Sequence, residues 1–372
     1  MKWAFWIAVA VVAYSYAGYA LWLWLRKQWA PRPVRRGEIE LQVSAVMVVR
    51  NEEGILADKL KNLLTLDYPP EKLKVVVVSD GSKDRTEQIL KEWNDPRVQA
   101  VIKSESEGKA AGLNDGLKLA DGEIVLFTDA RQRIEPAALR RMMENFADPA
   151  VGCVSGELML GDSQNGETGK GMGLYWRIEK VIRELESASG SVAGATGAIY
   201  CARREALDPL PEGTILDDVL LPMQVARKGF RVIFDSRALA WDSPDLGEGR
   251  EFSRKVRTLS GNYQLLQLAP WLLSGKNPIR FEFISHKLSR LIVPLALVVL
   301  LAVSFFLPQP FYRAALWVQL AFYALSLAGV AHLKLGPLSR LVDPARTFVI
   351  LNSAAMVALV NFVTGRKAVW AR

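Results

Sequence analysis

Val75-Val-Val-Val-Ser-Asp80-Gly-Ser-Lys-Asp-Arg-Thr86 is the stretch that decides how this chain folds. Its valine run has no polar alternation, so the strand it forms is covered on both faces, as in a parallel sheet. The run ends in Asp80 and turns at Gly81. Ser82 or Asp84 then caps a helix running to Trp93. Strand, acidic tip, turn and helix form the repeating unit of open α/β sheets, which bind ligands outside the carboxyl ends of their strands.

The same alternation extends in both directions. Residues 44–49 read as a strand, 54–66 as a helix, 98–102 as a strand and 112–120 as a helix. A strand over 123–128 ends at Asp129, followed by a helix over 136–146 and a strand over 151–155. Further on, 174–186 reads as a helix and Gly194-Ala-Thr-Gly-Ala-Ile-Tyr-Cys201 as a tight turn into a strand. Asp217 or Asp218 opens a helix that ends at Gly229, before a strand over 230–234. Pro222 is expected near the first turn of that helix, where its missing N–H removes no bond. The fold class expected is α/β, a doubly wound and mostly parallel sheet, flanked by transmembrane helices.

The flanks follow from composition. Of 372 residues, 50% are hydrophobic, and the excess is localised. Residues 3–25 are almost continuously apolar and lead into Arg26-Lys27, Arg32, Arg35 and Arg36. Residues 291–307, 314–330 and 347–363 each approach the roughly 17–25 residues that span a bilayer. Basic residues beside a span favour the cytoplasm, which puts the region from about 38 to 285 in the cytosol of a multi-pass inner-membrane protein. The expected division is an N-terminal anchor with a basic linker (1–37), an α/β domain (38–250), an interfacial amphipathic segment (251–285) and a C-terminal transmembrane region of about three segments (286–372). Three C-terminal spans leave the basic tail 365–372 outside, against the charge rule.

The net charge of +8 suits contact with anionic membrane lipids or a phosphorylated substrate. The basic residues are dispersed and no nucleic-acid module is present, so no nucleic-acid partner is expected. Two cysteines, Cys153 and Cys201, and two histidines, His286 and His332, exclude a Cys/His zinc site and argue against a Ser-His-Asp triad.

The strand tips gather Asp80, Asp129, Asp217 and Asp218 with Lys109, Arg131, Arg254, Lys255 and Arg257. Carboxylates facing cations suit a phosphorylated ligand bridged by a divalent metal, since Mg²⁺ takes one or two carboxylates plus phosphate oxygens. Structural readings compete. Asp80 can cap a helix, Asp129 can be a turn residue, and Asp217 and Asp218 are first-turn acids favoured by the helix dipole. Arg254, Lys255 and Arg257 can be the polar face of an interfacial helix.

Six pieces then stand in one order: Val49-Arg-Asn-Glu52, Val78-Ser-Asp-Gly-Ser-Lys-Asp-Arg-Thr86, Gly108-Lys-Ala-Ala-Gly-Leu-Asn114, Phe127-Thr-Asp129, Gly194-Ala-Thr-Gly197 and Leu216-Asp-Asp218. In these pieces, from about residue 44 to 273, the chain resembles the membrane-bound family 2 glycosyltransferases of GT-A fold, related to hyaluronan, cellulose and poly-N-acetylglucosamine synthases. The resemblance implies that Asn51, Glu52 and Asp80 hold the nucleotide of a nucleotide-sugar, a UDP-sugar in the related synthases. It puts Lys109, Asn114, Arg131, Arg254 and Arg257 near the donor's nucleotide or diphosphate. Asp129 would bind a divalent metal, Mg²⁺ or Mn²⁺. Thr196 and Gly197 would line the acceptor side, and Asp218, beside Asp217, would deprotonate the acceptor hydroxyl.

Two departures stand out. The family's Asp-x-Asp is Asp129-Ala-Arg131 here, and its Gln-x-x-Arg-Trp is at best Arg254-Lys-Val-Arg257-Thr258, without the tryptophan. The function expected is inverting transfer of a sugar to a polysaccharide or lipid-linked saccharide at the membrane. The competing reading is an inactive nucleotide-binding membrane scaffold.

Overall fold

A computed structural model describes residues 1–161, 174–242, 248–331, 333 and 339–365. The basic tail from 366 onward and His332 lie outside the described residues. Eight strands form one sheet: β1 (Val43–Val49), β2 (Leu73–Asp80), β3 (Val98–Lys103), β4 (Ile124–Phe127), β5 (Arg133–Ile134), β6 (Val151–Leu160), β7 (Tyr200–Arg203) and β8 (Arg231–Asp242). Their order is β3-β2-β1-β4-β7-β6-β8-β5. The first four are mutually parallel, β7 runs antiparallel between β4 and β6, and β8 is parallel to β6. The short edge strand β5, absent from the sequence reading, pairs antiparallel with β8.

This order decides where the chemistry falls. The carboxyl ends of β1, β2, β4, β6 and β8 share one edge with the amino end of β7. Glu52, Asp80, Asp129, Asp242 and the Thr196-Gly197 turn therefore emerge along the same side of the sheet. The valines Val75 to Val78 are all buried, as a strand covered on both faces requires. Below the sheet, Leu56, Leu60 and Leu63 of the helix Leu56–Leu64 are fully buried at i, i+4 and i+7.

Pro222 corrects its expectation. The helix is Asp217–Arg227, so Pro222 lies in its interior rather than its first turn. The N–H it lacks is the one that would reach the carbonyl of Asp218, four residues back. That carbonyl instead accepts the N–H of Ala195 at 2.7 Å.

Among the described residues, four helices are long and apolar enough to cross a membrane: Lys2–Trp29, Arg280–Phe306, Pro310–Val330 and Leu341–Val363. Trp3, Trp317 and Val363 stand at least two-thirds exposed on them, as lipid-facing side chains do. The second begins at Arg280, before the expected boundary at 286. Between sheet and spans, the helix Glu248–Leu268 is followed by a 3₁₀ turn, Pro270–Leu273. Its apolar residues are not laid out for lipid alone. Leu265 and Leu272 are fully buried in the same core as Leu216 and Leu220.

Candidate active site

The loop before the helix Lys109–Leu119 is shaped by Asp80. One carboxylate oxygen accepts from Ser106 Oγ (2.7 Å) and Gly108 N (3.0 Å), the other from Glu107 N (2.9 Å). Gly81 makes this closure possible. It has φ of +63°, and a Cβ there would sit 2.5 Å from Ser106 N. Asp80 is 1% exposed, so most of its hydrogen-bonding capacity is spent on the chain itself.

That loop aims Lys109 into the site. Its ammonium lies 2.9 Å from Asp129 Oδ1 and 3.1 Å from Asp217 Oδ1. Burial disfavours the charged amine, but Asp129, then Asp217 and Asp218, outweigh it and hold Lys109 well above its ordinary range. Tyr200, stacked on Phe127 at 4.6 Å, places its hydroxyl 3.5 Å from the other oxygen of Asp217.

The two neighbouring acids differ. Asp217 is buried and closed against Lys109. Asp218 forms no ion pair among the described residues. Burial, then the charge of Asp217, pushes its carboxyl up to about 6, against the opposing charges of Lys109 and Lys287. Gly197 sits between the carboxylates. A Cβ built on it would lie 3.4 Å from Asp129 Oδ2 and 3.6 Å from Asp218 Oδ2. Thr196 is fixed by its N–H to Ser155 Oγ at 3.1 Å.

Asn51 takes φ of +56°, and its side-chain oxygen accepts from Lys83 N at 2.8 Å. It thereby ties the β1 tip to the turn after β2. Glu52 is held by its N–H to Thr86 Oγ1 at 2.8 Å. Its carboxyl is half-buried: burial raises it, Arg131 opposes, and Asp84 and Asp129 add to the rise.

Two predicted donor residues are engaged elsewhere. Asn114 exchanges both its amide groups with Leu210, donating to the carbonyl at 2.9 Å and accepting from the N–H at 2.8 Å. It pins the chain after β7, so both its amide groups are already engaged within the chain. Arg131 donates to Asp242 Oδ2 at 2.5 Å, and Gln132 Nε2 reaches the same oxygen at 3.1 Å. The residue in place of the family's second aspartate is thus paired with a carboxylate from β8. Asp242 Oδ1 and Gln132 Oε1 remain buried without hydrogen-bond partners.

Arg254 and Arg257 share one helical stripe with Gly261 (i, i+3, i+7). Gly261 packs so tightly on the residue before Asp217 that a Cβ would meet Leu216 Cγ at 2.5 Å. Gln264 clasps Ile215 N at 2.9 Å and Gly213 O at 2.8 Å. Neither arginine forms an ion pair among the described residues.

Sequence reasoning missed Lys59. It is 4% exposed and donates to Thr128 Oγ1 (2.8 Å) and the carbonyl of Gln132 (2.6 Å), directly beneath the Asp129 loop. Burial pushes its amine down to about 7, with Asp129 opposing. The signal was present, because Lys59 occupies an apolar position of the stripe Leu56, Leu60, Leu63. Also missed was the polar junction of Tyr19, Glu179, Glu186 and His286 where helices meet. Its signal was ionisable residues at the start of an apolar span.

Residues 44–210 match the family model described as Glycosyl transferase family 2. The poly-beta-1,6-N-acetyl-D-glucosamine synthase of Staphylococcus aureus (strain MSSA476) is 26% identical over 238 residues, 60% of this chain and 55% of the relative. That of Staphylococcus epidermidis is 26% identical over 241 residues, 62% of this chain and 56% of the relative. The chain spans about half the length of these curated relatives. Among solved structures, the mannosyltransferase PcManGT from Pyrobaculum calidifontis, in complex with GDP-Man and Mn²⁺, superposes over 98% of this chain and 100% of its own. The TM-score is 0.76 at 24% identity, a likeness of fold.

Proposed function

On the footing that this chain is a family 2 glycosyltransferase of GT-A fold, we propose that it moves a sugar from a nucleotide-sugar to a saccharide acceptor at a membrane surface, with inversion. The observation that carries the reading is the division of labour between neighbouring acids. Asp217 is neutralised by Lys109, while Asp218 has no ion pair and a carboxyl up to about 6. A general base works best with its pKa near the working pH.

In the reaction, the acceptor hydroxyl loses its proton to Asp218 as its oxygen bonds to the anomeric carbon. The bond to the nucleoside diphosphate breaks with its electron pair. One displacement inverts the centre. Lys109, Arg254 and Arg257 offset the charge that develops on the leaving diphosphate. Asn51, Glu52 and Asp80 frame the nucleotide end, with Asp80 acting chiefly through the loop it holds. Thr196 and Gly197 keep the acceptor side narrow beside Asp218.

A divalent ion on the diphosphate fits the donor set. Asp129 is 42% exposed, and its Oδ2 faces Gly197 rather than a cation. One carboxylate plus phosphate oxygens meets the needs of Mg²⁺ or Mn²⁺. The described residues contain no group of three or more His, Cys, Asp or Glu that would form an all-protein cage. Asp129 would hold the ion, with Gln132 Oε1 and Asp242 Oδ1 as further unpartnered oxygens beside the loop. When bound, the ion supplies Lewis-acid neutralisation of the diphosphate.

The four apolar helices and the basic residues after the first support a reading in which the protein sits in the inner membrane with the sheet domain cytoplasmic. A screen of nucleotide-sugars against purified membranes, with and without Mn²⁺ or Mg²⁺, tests the reading. Asp218→Asn is expected to lower transfer at least about 10²-fold while nucleotide binding persists. Unchanged transfer would overturn the assignment of the base.

A further inference from the structure

The helix Leu174–Ser189 is held between the first two membrane-length helices, Lys2–Trp29 and Arg280–Phe306. Tyr19 and Leu23 of the first pack with Ile182 and Leu185 in a closed apolar cluster. Beside that cluster both membrane-length helices converge on one carboxylate. Glu186 Oε1 accepts from Tyr19 OH at 2.7 Å and lies 2.9 Å from His286 Nδ1. Glu179 holds the other ring nitrogen of His286 at 2.9 Å and receives Arg290 Nη1 at 2.8 Å. Tyr19, Glu186 and His286 are all buried, so the junction is fixed inside the protein. Buried ionisable groups at the start of an apolar span are costly, and they mark a functional position.

The second oxygen of Glu186 leads out of the junction. It accepts the N–H of Ala193 at 3.3 Å, in the segment that follows the helix. Two residues on, Ala195 N donates to the carbonyl of Asp218 at 2.7 Å, and Thr196 N donates to Ser155 Oγ at 3.1 Å. Gly197 then lies between Asp129 and Asp218. The first helix and its linker touch the same stretch at two more points. Arg32 N donates to Ala188 O at 2.8 Å, and Arg26 Nη2 lies 2.9 Å from where a Cβ on Gly190 would stand. Residues 186–197 are thus tied to the membrane-length helices at one end and to the acidic pair at the other.

We infer that the first two membrane-length helices set the acceptor side of the site, and that Glu186 is the positioning residue through which they do so. One of its oxygens is committed to those helices and the other to the turn. A shift of Tyr19 or His286 therefore moves Ala193, and with it Thr196, Gly197 and the carbonyl of Asp218. The loop that Asp80 closes on the donor side is built from other residues. The inference rests on the glycosyl-transfer reading for what the turn binds.

A matched pair of substitutions in the first helix tests it beside Glu186→Gln. Tyr19→Phe removes the hydroxyl that Glu186 accepts. Tyr14→Phe removes one that lies 2.6 Å from Ser285 Oγ, joining the same two helices without leading to the turn. In the full chain in uncharged detergent, hydrogen–deuterium exchange of residues 190–197 reads the turn directly. Glu186→Gln should speed exchange there about tenfold and Tyr19→Phe about threefold, with β1 and β2 unchanged and Tyr14→Phe like the parent. Turnover is measured with UDP-N-acetylglucosamine and with GDP-mannose, each offered the octyl glycoside of its own sugar. The acceptor KM should rise in the same order while the donor KM stays within about twofold. Should Glu186→Gln fail to fold, the two tyrosine variants decide alone. Exchange in Tyr19→Phe that matches the parent, or that rises equally in Tyr14→Phe, overturns the inference. Faster exchange with an unchanged acceptor KM, or donor and acceptor KM rising together, overturns it as well. Absence of transfer by the parent with either donor counts against the transferase reading, and the exchange result then decides the coupling.

Discussion

The N–H of Ala195 donates to the carbonyl of Asp218 at 2.7 Å, filling the place that Pro222 leaves open in the helix ladder. A proline inside a helix thus fastens the Thr196-Gly197 turn to Asp218, the proposed base. Pro222→Ala supplies a competing N–H. Relief of the proline penalty and loss of buried ring surface roughly offset, so stability should change by no more than about 1–2 kcal/mol. Turnover should fall about tenfold as Thr196 and Gly197 drift. Thermal unfolding and transfer rate, measured together, check this.

The raised carboxyl of Asp218 sets the sign of two pH effects. Transfer should rise with pH through a midpoint near 6 as the base ionises. Stability moves the other way. The contribution of the protonated form is full below the unfolded value and is lost as pH rises through the folded one. Asp218→Asn should therefore be more stable than the parent at pH 8, by at most about 3 kcal/mol, and indistinguishable near pH 4. Unfolding midpoints at the two pH values decide it.

Lys109→Met strips the counter-charge from Asp129 and Asp217. A loss of about 3 kcal/mol is expected from stranding buried Asp217. Because Lys109 lowers the Asp218 carboxyl, its removal should move the acid limb of the rate profile to higher pH. Lys109→Arg should retain most of the original limb.

Two glycines near the acidic pair should respond differently to alanine. At Gly197 the added methyl meets both carboxylates at ordinary contact distance, so folding should survive while the acceptor KM rises. At Gly261 it would collide with Leu216 Cγ at 2.5 Å, and about 1–3 kcal/mol of stability should be lost. Acceptor titration separates the first case and thermal unfolding the second.

Lys59→Met should cost activity more than stability. The parent's buried amine, pushed down to about 7, adds stability above the unfolded lysine value, and that stability is lost as pH falls through the folded value. The variant should lack this slope between about pH 7 and 10. Without its bonds to Thr128 and Gln132 the Asp129 loop shifts, and transfer should fall about 10²-fold. Urea unfolding across that pH range checks the first claim and initial rates the second.

The sequence by itself determined the alternation of strand and helix, the apolar flanks and the order of the acidic tips. Each is written in local patterns: the valine run before Asp80, the helical stripe through Leu56, Leu60 and Leu63, and uninterrupted apolar segments of bilayer length. Motif chemistry also singled out Asp129, Asp217 and Asp218. What sequence could not supply is which partner each charge has, because pairing depends on residues brought together from distant positions. Only the tertiary structure gave Lys109 to Asp217, Arg131 to Asp242 and Asn114 to Leu210. It also left Asp218 without an ion pair among the described residues. A carboxyl's affinity for its proton is set by burial and neighbouring charge, and both are properties of the folded assembly rather than of any segment.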